Sequence, residues 1–305
     1  LAASFALSCH AHRSDSAWFR RLASFGYLLH AESLLTTRGD EWAMCQDVRE
    51  ATGMLEHARL VVVPGTARPA EPVVLRGDVH APILCFAPSE LGFGSAEEAE
   101  AAGLVPGEPV RVRAILFTMG INEEQTMANL MGTNTDEQAE VNKVALARLA
   151  GYADEVARVE GAAPGGALGG LDAPARERLA RLHALVARAQ RALDAAADPK
   201  NVELLHATAL LSRLLGGGRL IMCKSGKDRT AMAVTLEHAR LLESEHGVDS
   251  EGATRCLEAT RRHGVCRENV RRNVCKRTYA FNWVQQRMLP AAYRPPLGSA
   301  KGGAA

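Results

Sequence analysis

Residues 222–231 read MCKSGKDRTA, which sets a thiol, two ammonium groups, a carboxylate, a guanidinium and two hydroxyls within eight consecutive positions, Cys223 to Thr230. A helix N-terminus and neighbouring cations favour thiolate over thiol, and the thiolate is the nucleophile. Phosphoryl transfer suits this set. Cys223 can attack phosphorus, while Arg229 can grip two phosphate oxygens as a bidentate clamp. Lys224 and Lys227 add positive charge within reach of neighbouring phosphates, and Ser225 and Gly226 supply backbone N–H groups. Thr230 can donate a hydrogen bond to the sulfur when it leaves. Asp228 is the one acid in the loop, placed to protonate a leaving oxygen and then to activate water. This chemistry calls for no metal and no cofactor.

The spacing alone carries little. Three of the seven cysteines have an arginine six positions on: Cys223 with Arg229, Cys256 with Arg262 and Cys266 with Arg272. Only Cys223 follows a short apolar run, Leu220 to Met222, and precedes a helical pattern that starts near Thr230. That order puts the loop at a helix N-terminus, where free N–H groups favour anions. Gly226 lets those groups converge on one point. Cys256 and Cys266 sit in charged helical stretches with no glycine before the arginine. A buried cysteine at a strand end is the competing account of Cys223, but it requires none of the surrounding Lys, Gly, Asp, Arg and Thr.

The elements around the loop read as α/β. Residues 15–55 carry helical periodicity, with Leu22, Phe25, Leu28, Leu29 and Leu35 three or four apart. Residues 60–65, 81–88 and 109–120 read as strands. Residues 121–132 read as a helix with an acidic first turn. Further helices are expected through Leu179–Leu193, over 201–215 and over 230–247. The sheet is expected to be mostly parallel, with a helical N-terminal elaboration and the loop at a strand's carboxyl end. A Gly/Ala/Pro-rich stretch, 161–175, reads as an internal flexible loop.

Composition bounds the rest. The chain has 305 residues, of which 47% are hydrophobic and 23% charged, which fits a globular protein with a large core. A net charge of +1 speaks against a nucleic-acid binder. Between Arg255 and Arg294, however, ten basic residues stand against two acids, an excess of 10 − 2 = +8. Arg267 with Arg271 and Arg272 with Lys276 are four apart, so each pair would share a helix face suited to an anionic membrane surface. Seven cysteines without C-x-x-C or zinc spacing point to reduced thiols in a cytoplasmic setting, with peripheral membrane attachment an added expectation. Leu1 in place of an initiating Met makes a longer parent chain the expectation.

With the whole loop in view, CKSGKDRT resembles the active-site signature of the inositol polyphosphate 4-phosphatases and of bacterial effector inositol phosphatases. The similarity to the 4-phosphatases extends to WFRRLASFGYLLHAESLLTTRGDE, ILFTMGINEEQT, KNVELLHATALLSRLLGGG, TAMAVTLEHARLLESEHG and CRENVRRNVCKRTYAFNWVQQRMLPAAYRPP. It covers residues 15–297, leaving 1–14 and 298–305 as expected disordered ends. The resemblance implies a cysteine-dependent phosphatase domain of the protein tyrosine phosphatase-like fold. It also implies a magnesium-independent activity on phosphatidylinositol 3,4-bisphosphate, with Cys223 as nucleophile and Arg229 as clamp. Gly226 stands where the animal enzymes usually have alanine and matches the bacterial version. Asp78, Glu123 and Glu124 are alternative proton donors to Asp228. Other regioselectivities, a protein phosphatase and a catalytically silent phosphoinositide-binding module are the competing functions.

Overall fold

The computed structural model describes residues 1–64, 82–160, 173–195, 200 and 202–301. Five strands form its sheet: β1 (Tyr27–Ser33), β2 (Arg59–Val62), β3 (Ile83–Phe86), β4 (Pro109–Thr118) and β5 (Gly218–Met222), in the order β3-β2-β4-β1-β5. β1 lies parallel to β4 on one side and to β5 on the other. β2 is parallel to β3 but antiparallel to β4.

The sheet is therefore mixed, with three strands running one way and two the other, and the expectation of a mostly parallel sheet is corrected. The cause lies between β3 and β4. A 3₁₀ turn (Pro88–Leu91) and helix α4 (Ala96–Ala102) lead to Gly107, whose φ is +85 and whose N–H donates to the Val62 carbonyl at 2.8 Å. The chain thus re-enters beside β2 heading the opposite way, with no crossover to carry it back as parallel pairing would need. β4 divides accordingly: its first three residues pair with β2, and Val112 to Thr118 pair with β1.

Helices cover both faces. α1 (Ala2–Ala11), α2 (Ser16–Phe25) and α4 pack over Leu29, Leu60, Val110, Val112 and Ala114. The other face carries α6 (Thr135–Glu160), α7 (Ala173–Asp194), α8 (Glu203–Leu214) and α9 (Asp228–His246), packed over Leu28, Ile115 and Phe117. β1 is buried at all seven residues, Leu28 facing one core and Leu29 the other. Burial on both faces removes polar alternation from a strand. For that reason the helical periodicity expected through residues 15–55 is wrong over Tyr27–Ser33, the centre of the sheet. It holds on either side, in α2 and in α3 (Asp40–Leu55).

Both expected disordered ends are corrected over their described residues. Phe5 and Cys9 of α1 are buried, and Phe5 packs edge-on against Tyr27 at 5.2 Å. Ser4 and Ser8 hydroxyls meet the Tyr27 phenol at 2.8 and 2.9 Å. At the other end Ser299 and Ala300 are buried, and the Lys301 N–H donates to the Tyr279 carbonyl at 3.0 Å. Of the 161–175 stretch, 161–172 lie outside the described residues, and Ala173 begins α7.

Candidate active site

Three parallel strands deliver the site from their carboxyl ends, the usual location of ligand sites in α/β sheets. β5 delivers Cys223. β1 delivers the segment Leu34–Glu41, which ends in the first turn of α3. β4 leads through Gly120 into α5 (Glu123–Met131). β5 and β1 stay in register to their ends, since the Leu34 N–H donates to the Met222 carbonyl at 2.9 Å. Cys223 leaves the sheet there, half-buried, and the chain turns through Gly226 at φ +62 before α9 begins at Asp228. A side chain at 226 would meet no atom within 4 Å, so glycine serves the left-handed turn alone.

Thr230 and Cys223 meet in the loop, and Arg229 lies buried beside them in sequence. The Thr230 hydroxyl donates to the Cys223 sulfur at 3.1 Å. Arg229, buried at the base, donates through Nη1 to the Leu34 carbonyl at 2.7 Å and to Glu41 Oε2 at 2.8 Å, and through Nη2 to Glu41 Oε1. A guanidinium has five N–H groups. Three are spent on the scaffold, leaving Nε–H and one Nη2–H on adjacent corners for a bidentate oxyanion. Burial works against the charge on Arg229, but Glu41, Cys223 and Glu123 outweigh it and hold the proton more firmly than usual. Glu41 is affected in the same way. Burial raises its pKa, while Arg229 and the Thr36 N–H (3.0 Å) pull harder and leave the carboxyl below its ordinary value.

Glu41 is the site residue that sequence reasoning missed. Its only local mark is an acid in the first turn of a helix after TTRGD, which describes most helix starts. Its segment is fixed by neighbours that are equally invisible in sequence. The Thr37 hydroxyl donates to the Thr133 carbonyl at 2.7 Å, and Asn134 Nδ2 donates to the Thr37 carbonyl at 3.0 Å.

The remaining candidates occupy the rim. Lys224, Ser225 and Gly226 are exposed, with Lys224 Nζ 3.8 Å from Asp40. Lys227 Nζ lies 3.7 Å from Asp228 Oδ2. Asp228 is buried, and its Oδ1 accepts the Ala280 N–H at 3.0 Å, so a C-terminal strap crosses beside the loop. Among the alternative acids, Glu124 is paired with Arg38 at 2.8 Å, and Asp78 lies outside the described residues. Glu123, the first residue of α5, accepts from Gln285 Nε2 at 2.5 Å through Oε1, while its buried Oε2 has no hydrogen-bond partner. Cys256 and Cys266 lie on α10 (Ser250–His263) and α11 (Val265–Val274), away from any such loop.

The basic segment differs from its expected form. Arg267, half-buried, donates to the carbonyls of Arg277 and Arg262 at 2.6 and 2.8 Å. α11 stops at Val274, with Cys275 left-handed at φ +57, so Lys276 lies past the helix end and shares no face with Arg272.

Fold and loop together define the class: an α/β protein whose strand–loop–helix junction gathers a thiol, a hydroxyl and a guanidinium at one helix N-terminus. The chain belongs to the INPP4A C-terminal domain family, whose model matches residues 1–293. It is 29% identical over 308 residues to the type II inositol 3,4-bisphosphate 4-phosphatase of Rattus norvegicus, covering 98% of this chain and 31% of that protein. It is 28% identical over 294 residues to the inositol polyphosphate 4-phosphatase type II of Homo sapiens, covering 93% and 29% respectively. A human phosphatidylinositol 3,4,5-trisphosphate-dependent Rac exchanger 2 protein is 24% identical over 278 residues, 84% of this chain and 17% of that protein. The chain thus spans about a third of the length of the two 4-phosphatases.

Proposed function

We propose that the protein is a cysteine-dependent phosphoinositide phosphatase that removes the 4-phosphate of phosphatidylinositol 3,4-bisphosphate. The observation that carries this reading is the pairing at the loop base. Thr230 donates to the Cys223 sulfur at 3.1 Å, while Arg229, held by Glu41, keeps two N–H groups for phosphate. The two 4-phosphatase relatives supply the substrate class.

In this mechanism the Cys223 thiolate attacks phosphorus in line, and the bond from phosphorus to the inositol oxygen breaks as the sulfur–phosphorus bond forms. Asp228 gives its proton to the departing inositol oxygen. Water then attacks the phosphocysteine, Asp228 takes back a proton, and sulfur leaves as thiolate with the Thr230 hydroxyl bonded to it. Arg229 and the loop N–H groups follow the equatorial oxygens through both steps, where charge develops. Lys224 and Lys227 are left for the second ring phosphate. Metal has no part in either step.

The competing reading is a phosphoinositide-binding module without turnover. The intact Cys223, Arg229 and Thr230 favour turnover. Phosphate release measured on a panel of phosphoinositide headgroup isomers decides between them. The expected result is release from the 3,4-bisphosphate isomer, its loss in Cys223→Ser, and retained headgroup binding in that variant. Turnover surviving Cys223→Ser, or strict dependence on added magnesium, overturns the mechanism.

A further inference from the structure

The strap that crosses beside the catalytic loop carries exposed apolar and basic side chains. After Cys275 the chain runs through Tyr279 and Phe281, both buried, into α12 (Trp283–Met288). Tyr279 is pinned on three sides: its hydroxyl donates to the Arg261 carbonyl at 2.9 Å, and its backbone pairs with Ser299 and Lys301 at 3.0 Å each. α12 itself buries none of its residues. Trp283 is 56% exposed and Val284 47%, side by side at its start. The Arg287 guanidinium stacks over the Trp283 ring at 4.5 Å.

The segment that leads into this strap is strongly basic. Arg271, Arg272 and Arg277 all converge on a single carboxylate, Glu268, so three positive charges meet one negative. Arg272 and Arg277 side chains remain 76% and 69% exposed despite that contact. The same strap touches the site twice, through the Ala280 N–H on Asp228 and through Gln285 on Glu123. A tryptophan beside basic side chains is the composition of a membrane interface, where the ring sits at headgroup level and the cations meet anionic lipid.

We propose that Trp283, Val284, Arg272, Lys276, Arg277 and Arg287 form the face that lies on an anionic bilayer and brings a lipid-borne headgroup to Cys223. The proposal rests on the phosphoinositide reading above. A headgroup still attached to its acyl chains cannot leave the bilayer, so the surface beside the loop must approach the lipid plane. The strap that carries this face is tied to Asp228 and Glu123 through Ala280 and Gln285, which sets it beside the loop. The face replaces the helix-face pairs expected from sequence, because Arg267 is spent on backbone carbonyls and Lys276 lies beyond α11.

The test compares the wild-type chain with Trp283→Ser and with Lys276→Glu/Arg277→Glu. Each is assayed for cosedimentation with phosphatidylcholine–phosphatidylserine vesicles containing phosphatidylinositol 3,4-bisphosphate. Each is also assayed for turnover of that lipid and of water-soluble inositol 3,4-bisphosphate. The expected result is a roughly tenfold or greater loss of vesicle binding and lipid turnover in each variant, with soluble turnover unchanged. Vesicle binding equal to wild type in both variants overturns the proposal. Equal loss of lipid and soluble turnover overturns it too, since the strap would then serve the site itself. A wild-type chain that binds vesicles through these residues but hydrolyses neither substrate sinks the phosphatase reading and leaves the face standing.

Discussion

Arg229 and Glu41 meet in a bidentate pair across the base of the site, Nη1 to Oε2 at 2.8 Å and Nη2 to Oε1. The carboxylate fixes the plane of the guanidinium and so directs its two remaining N–H groups. Glu41→Ala keeps the loop sequence intact but frees that plane, and a catalytic group displaced by about 1 Å costs on the order of 10²-fold. We expect kcat to fall by about that factor. Stability should also drop by roughly 3 kcal/mol, because one partner of a mostly buried pair is left uncompensated. Phosphate release kinetics and urea unfolding measure the two effects. Wild-type kcat in this variant would remove Glu41 from the site.

Thr230 donates to the Cys223 sulfur at 3.1 Å. A hydrogen bond to an anion contributes about 1.5–3 kcal/mol, roughly ten- to a hundredfold in rate. Thr230→Val preserves shape and removes the donor. It should slow iodoacetamide labelling of Cys223 at fixed neutral pH and lower kcat within that range. Thr230→Ser should restore both, and unchanged labelling in the valine variant would show that the hydroxyl does not act on the sulfur.

The loop was legible because its parts are contiguous. An apolar strand, a glycine turn and a helix start follow one another in sequence, and the structure keeps that order from Gly218 to His246. What sequence hid was what the loop faces. Glu41 reaches Arg229 from 188 positions away and Ala280 reaches Asp228 from 52. No local pattern encodes either meeting. β1 was hidden for another reason: full burial on both faces erased the period-two signal, and the leucines left behind mimic a helix. The antiparallel pairing of β4 with β2 depends on a turn at Gly107 that propensity does not orient.

His206 offers a pH test of the scaffold. Its Nδ1 accepts from Arg240 at 2.9 Å, and because arginine can only donate, Nε2 carries the proton toward the Tyr293 oxygen at 3.2 Å. Burial first, and then Arg240, lower its pKa from 6.5 to about 3. Above pH 6.5 the ring is neutral in both states and its contribution is complete. As pH falls toward 3 the unfolded chain binds a proton that the folded chain refuses, so stability declines by about 1.4 kcal/mol per unit. His30, also driven down by burial and by Arg219, acts in the same direction. His206→Gln should remove one proton from the slope between pH 6.5 and 5, measured by urea unfolding at several pH values. An unaltered slope would contradict the neutral buried ring.

Two carboxylates compete for the proton-transfer role, and their surroundings differ. Asp228 lies on the loop, with one oxygen on the Ala280 N–H and the other 3.7 Å from Lys227. Glu123 comes from the end of β4, with one oxygen on Gln285 and the other buried without a partner. An acid that protonates the leaving oxygen matters most when that oxygen is a poor leaving group. Asp228→Asn should therefore lower kcat by about 10²–10⁴ on an inositol phosphate but far less on an aryl phosphate, which departs without help. Glu123→Gln should lower both substrates alike, by disturbing the field at Arg229, whose charge it supports. If the dependence on leaving group appears in Glu123→Gln instead, the donor sits on α5, and Asp228 serves to dock the C-terminal strap against the loop.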